Sequence, residues 1–229
     1  MTREELENLY ETEINKAFNE NGYDLDTYIN PVCVSRGFDD SKKKVLLIAD
    51  EKRDWLQDCW LSGNCTGSNN EFDINSLMDH YENTDLSAEV CKCTTGYILY
   101  RIKKELPEVD CLWTTLNKLD KKLFEEYHTR KEVYFCEDQN IKIIQNEIEI
   151  LNPSIVVFST GSPNNNDLTK IRYVLGQGKP FFIPYRNTID PDGKDENVIY
   201  NVSTNGQKRT VMRCYSGLFK VSNLIKVLR

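Results

Sequence analysis

Glu147-Ile148-Glu149-Ile150-Leu151-Asn152-Pro153-Ser154-Ile155-Val156-Val157-Phe158-Ser159-Thr160-Gly161 is the stretch on which the fold turns. Its first residues close a run, 138–151, in which Ile141, Ile144, Ile148 and Leu151 fall on one helical stripe. Asn152-Pro153 stops that helix, because proline lacks the amide hydrogen and restricts the residue before it. Ile155 to Phe158 is then continuously apolar, with no polar residue alternating through it. Such a run fits a strand buried on both faces, as in a parallel sheet. Helix, short turn, apolar strand and glycine follow one another as in an α/β unit.

The neighbouring segments repeat the pattern. Val45 to Ala49 is a second continuous apolar run, and Val109 to Leu116 reads as a third strand, with Asn117 just beyond it. A helix is expected across 85–105, where Ile98, Ile102 and Leu106 keep helical spacing and Pro107 ends it. Thr94-Thr95-Gly96 interrupts that expectation with poor helix formers. At the N-terminus, Thr2 and Glu5 form a capping-box pattern ahead of Leu6, Leu9, Tyr10, Ile14, Ala17 and Phe18. Asn21-Gly22 is the expected stop. Residues 62–70 read as loop, and Leu168, Ile171, Val174 and Leu175 as a further helix. Phe181 to Ile183 reads as a short strand. Residues 186–208 read as an elaborated loop or hairpin with turn signals at Asp192-Gly193 and Asn205-Gly206. A last sheet strand is expected from Thr210 to Tyr215, and a C-terminal helix carries Leu218, Val221, Leu224, Ile225 and Leu228. One α/β domain over 1–229 is the simplest architecture: three layers, α/β/α, around a mostly parallel central sheet.

Bulk properties narrow the function classes. A chain of 229 residues buries a sizeable core without disulfides or metals. The net charge of −7 argues against a strongly basic nucleic-acid module, although it leaves room for a local basic patch. Lysines do cluster at 42–44 and at Lys118, Lys121 and Lys122, which read first as solvated faces. No apolar run approaches the ~20 residues of a membrane helix. The polar start, Met1 to Glu5, is not the sequence of a signal peptide. A cytoplasmic setting with eight reduced cysteines is therefore expected, and no membrane partner.

In open parallel sheets, ligands bind beyond the carboxyl ends of the strands. That rule nominates Asp50 and Glu51, Asn117, Thr160 and Gly161, and the turn Tyr215-Ser216-Gly217. A carboxylate can activate or orient water. An Asn amide offers both a donor and an acceptor to the edge of a nucleobase. A small-residue turn before the last helix lets an anion approach that helix's N-terminus. Polar residues also end strands simply because turns require them.

Three segments resemble the uracil-DNA glycosylase superfamily, most closely its divergent bacterial and phage members. Cys111 to Lys118 looks like the strand that ends in a base-recognising Asn, here Asn117. Glu147 to Gly161 looks like the family's helix–strand unit. Val211 to Leu218 looks like the final strand and catalytic loop, and Val45 to Glu51 stands where the first motif would be. The resemblance spans 40–229 in element order, leaving 1–40 as an N-terminal helical region and 41–229 as a glycosylase-like core. It implies catalytic roles for Asp50 and Ser216, and substrate-binding roles for Glu51, Asn117, Thr160, Gly161 and Tyr215. It also implies a nucleobase or nucleic acid as the partner.

Two departures stand out. The Gly and Pro that follow the first strand in the family are absent from Ala49-Asp50-Glu51-Lys52-Arg53. Ser216-Gly217 stands where the family has His-Pro, whose imidazole stabilises charge on the departing base. A hydroxyl donates one hydrogen bond but carries no positive charge. Losing such a stabiliser costs roughly a hundred- to a thousand-fold in rate. His80 and His128, the only histidines, fall in segments read as peripheral. The expectation is a divergent glycosylase-like protein with weak or lost base excision. The alternatives are a non-enzymatic protein-interaction module on the same fold, and a nucleotide-binding or nucleotide-hydrolysing enzyme.

Other residue groups read as structural. Cys59, Cys65, Cys91 and Cys93 have spacings unlike zinc or iron–sulfur sites, so no metal and no cofactor is expected. Trp55, Trp60, Tyr97 and Tyr100 could stack on an extruded base but read as core aromatics. Ser159 and Ser162 lack the context of a nucleophile elbow.

Overall fold

The computed structural model describes residues 2–15, 42–49, 74–83, 94–115, 137–160, 197–204, 207–215 and 221–229. Its chain falls into two compact units. One comprises Met1–Gly37, Lys52–Asp85 and Thr115–Leu151; the other comprises Phe38–Glu51, Leu86–Thr114 and Asn152–Arg229.

The first unit is helical among its described residues. α1, Thr2–Tyr10, runs into a π-helical turn, Glu11–Asn15. Leu6, Tyr10 and Ile14 keep a four-residue spacing across that junction and are all buried. α1 packs against α2, Ile74–Asn83, and against a third helix, Glu137–Leu151. α2 was not anticipated from the sequence; Ile74 and Met78, four apart, form its buried stripe. The charged faces join at the rim. The Arg3 guanidinium donates to Asp79 at 2.5 Å and to Glu82 at 2.7 Å, and Lys142 donates to Glu13 at 2.5 Å.

The second unit is built on a sheet. β1 is Lys43–Ala49, β2 is Val109–Thr115, β3 is Ile155–Thr160, β4 is Asn197–Thr204 and β5 is Gln207–Tyr215. Their order across the sheet is β2-β1-β3-β5-β4. β1 and β3 pair in parallel with Val45 opposite Ile155, and β3 and β5 pair in parallel with Ile155 opposite Thr210. Val45 to Ile48 and Ile155 to Phe158 are buried at every position. Successive side chains point to opposite faces, so both faces of the sheet centre are covered. This is the α/β class with a parallel sheet centre that the apolar runs predict.

Local chemistry sets the register. Asn152, with φ 47°, adopts the left-handed conformation directly after Leu151 ends its helix. Asn tolerates that conformation better than other residues with a β-carbon. Pro153 is buried beyond it. Ser154 then bonds the Lys44 carbonyl twice, from its amide at 3.1 Å and its hydroxyl at 2.8 Å. Those two bonds hold β3 one residue before the Val45–Ile155 pair.

The second unit also holds α3, Thr94–Glu105, and a C-terminal helix, Val221–Leu228, which pack together. Ile98, Leu99, Ile102 and Leu106 are buried, as are Leu224, Ile225 and Leu228. Thr94-Thr95-Gly96 lies within the described helix, and residues 85–93 of the expected one lie outside the described residues. The Lys43 ammonium donates to the Leu228 carbonyl at 2.7 Å, satisfying an orphan acceptor of the last helix.

The strand expected at Thr210 begins earlier. β4 and β5 form an antiparallel hairpin whose register closes at Thr204 opposite Gln207, with Asn205-Gly206 between them. A two-residue Asn-Gly connection suits the twist of paired strands. The expected elements at 62–70, 168–175 and 181–183 lie outside the described residues, as do Ala17, Phe18 and the Asn21-Gly22 stop.

Candidate functional site

The sheet brings three strand ends to one edge. Ala49, the last residue of β1, lies opposite Ser159. Thr160, the last residue of β3, lies opposite Tyr215, the last residue of β5. Three parallel strands therefore finish within about one residue of one another. Between β1 and β3 the chain order reverses, since β2 lies on one side of β1 and β3 on the other. In open α/β sheets that reversal opens a crevice at the carboxyl ends of the strands. Thr160 and Tyr215 thus occupy adjacent register positions at this edge.

Asp50, Glu51, Asn117, Gly161, Ser216 and Gly217 lie outside the described residues. Asp50 follows Ala49 directly in sequence, Ser216 follows Tyr215, and Asn117 comes two residues after the end of β2 at Thr115. Trp55, Trp60, His128, Cys59, Cys65, Cys91 and Cys93 are likewise outside. His80 falls within α2. Among the described residues no group of three or more His, Cys, Asp or Glu side chains is placed to hold a metal ion. Cys111 carries a free thiol whose sulfur reaches the Leu112 carbonyl at 3.8 Å. Among the same residues no helix is long and apolar enough to cross a membrane.

Two features escaped the sequence reading. Glu147 sits within the apolar stripe of its helix and is buried with Ile144 and Ile148. The Tyr10 hydroxyl donates to its Oε1 at 2.5 Å. The signal was present, since a carboxylate three residues after one buried Ile and directly before another must find a donor. Tyr97 is the second feature, and it corrects an expectation. Its sequence context predicts a core aromatic, yet it is 41% exposed. Helical geometry explains this: Ile98 and Ile102 point inward, which turns Tyr97 and Arg101 toward solvent.

Arg101 donates to the Tyr97 hydroxyl at 2.8 Å, with its guanidinium carbon 5.7 Å from the ring centroid. Lys104 lies 5.5 Å from the Tyr100 centroid. The Arg101 Nε also donates to Glu105, and this bond holds the Glu105 carboxyl below its ordinary pKa.

The chain matches no protein-family model, no curated protein and no solved structure. What stands is the class: an α/β protein with a parallel sheet centre, three strands of which end at one edge.

Proposed function

We propose that this chain is a divergent uracil-DNA glycosylase-like protein on a three-layer α/β/α core. It recognises a nucleobase or nucleic acid, and its base excision is weak or lost. The alignment of strand ends carries the reading. Ala49 beside Ser159, and Thr160 beside Tyr215, end three parallel strands together, which supports reading the segments around them as the family's first, helix–strand and final motifs. In this reading Asp50 orients water, Asn117 reads the base edge, and Glu51, Thr160, Gly161 and Tyr215 line the pocket. Ser216 stands where an imidazole would stabilise the departing base, and a neutral hydroxyl does that poorly.

The test is a glycosylase assay on a uracil-containing oligonucleotide, with equilibrium binding measured on the same substrate. The expected result is measurable binding that Asn117→Ala weakens, with little or no excision. Rapid excision abolished by Asp50→Ala would overturn the loss of activity. Absence of binding to uracil and to uracil-containing DNA would overturn the reading as a whole.

A further inference from the structure

The charge of the described helices is unevenly placed. The segment from Thr2 to Asn15 carries Glu4, Glu5, Glu7, Glu11 and Glu13 and one basic residue, Arg3. α3 reverses the balance, with Arg101, Lys103 and Lys104 against Glu105. Arg229 adds a further cation, close enough for its charge to act on the Glu105 carboxyl. Lys103, Lys104 and Arg229 are all exposed.

Lysines in a last helical turn offset the helix dipole, which accounts for part of this cluster. It does not account for Tyr97. Among the described residues Tyr97 is the one large hydrophobic side chain on the open surface. Tyr100, three residues on, is half-buried on the neighbouring row. The exposed Tyr97 ring, with the Arg101 guanidinium over it and Lys104 about two turns further along the same side of the helix, offers a stacking platform beside phosphate-binding cations. An acidic peptide would use the cations and leave the ring idle. A single strand of nucleic acid uses both.

This surface also lies away from the carboxyl ends of the strands. α3 leads through Leu106 into β2, and the Lys43 amide, at the start of β1, donates to the Glu108 carbonyl at 3.0 Å. The basic end of α3 therefore sits at the amino end of the sheet, opposite the edge where β1, β3 and β5 finish. We propose that Tyr97, Tyr100, Arg101, Lys103, Lys104 and Arg229 form a second surface, which binds single-stranded nucleic acid by stacking and phosphate contacts without base specificity.

The experiment is fluorescence anisotropy with the full chain and a labelled deoxyadenosine oligomer of about twelve nucleotides. That probe lacks uracil, and substitutions confined to α3 separate this surface from the strand-end site. Binding should weaken with salt. Arg101→Gln/Lys103→Gln/Lys104→Gln should lower the log–log salt slope by about 2, at ~0.7 per lost phosphate contact. Tyr97→Ala should weaken oligomer binding roughly tenfold, as loss of one stacked base does, and leave inorganic polyphosphate binding unchanged. Failure of the parent chain to bind, or equal affinity in the triple variant, overturns the proposal. Equal loss of oligomer and polyphosphate in Tyr97→Ala overturns the stacking. If the triple variant does not fold, Lys104→Gln alone should lower the slope by about 0.7, and an unchanged slope counts against the surface.

Discussion

Removing the Tyr10 hydroxyl tests whether the first unit depends on a buried polar pair. Tyr10 and Glu147 are both buried, and their bond joins α1 to the Glu137–Leu151 helix. Tyr10→Phe keeps the ring and its packing but deletes the donor. Leaving a buried acceptor short of a partner costs about 1–3 kcal/mol. In a chain of this size that corresponds to a fall in melting temperature of roughly 2–12 °C. Glu147→Met removes the acceptor, and it also disturbs whatever else Glu147 holds. The double variant separates these effects, because replacing both partners by apolar groups of similar shape can be nearly neutral. Urea unfolding followed by circular dichroism, on all four proteins, yields the coupling energy directly. The expected coupling is about 1 kcal/mol or more in favour of the pair, with unchanged denaturant slopes. A Tyr10→Phe variant as stable as the parent, or a coupling below about 0.5 kcal/mol, would refute the reasoning.

Three further outcomes are expected. Phe158→Ala, at the buried centre of β3, should destabilise by about 3–5 kcal/mol in chemical unfolding, the cost of a large core cavity. At Asn152, Ala should cost about 1–2 kcal/mol through its left-handed backbone, and Gly should be tolerated, as unfolding midpoints will show. Arg101→Ala should raise the Glu105 pKa toward its ordinary value in a carboxylate titration by NMR. Because Glu105 titrates lower when folded, its stabilising contribution is present above its unfolded pKa. That contribution is lost as pH falls through the folded value, so the parent's advantage over Arg101→Ala should vanish on acidification.

The core of the α/β reading was legible because it rests on local patterns. Val45 to Ile48 and Ile155 to Phe158 are apolar without alternation, and both prove buried at every position. The stop at Asn152-Pro153 and the stripe through Ile144, Ile148 and Leu151 are equally local. The hairpin was harder to place. Asn205-Gly206 was read as a turn, but its first strand, Asn197–Thr204, carries only Val198, Ile199 and Val202 as aliphatic residues. Such a strand owes its extent to pairing with β5. α2 was missed because two buried residues, Ile74 and Met78, form a stripe too short to stand out.

Of the candidate site, the sequence by itself determined which residues follow apolar runs. Asp50, Thr160 and Ser216 are nominated by position alone. Only the tertiary structure decided that the ends of β1, β3 and β5 are neighbours, because strand order is a matter of long-range pairing that no local pattern encodes. Side-chain surroundings divide in the same way. Tyr97 and Tyr10 are the same residue type on amphipathic helices, yet one is open to solvent and the other is buried against Glu147. Helical spacing sets which residues share a face, but the packing partner decides which face is covered.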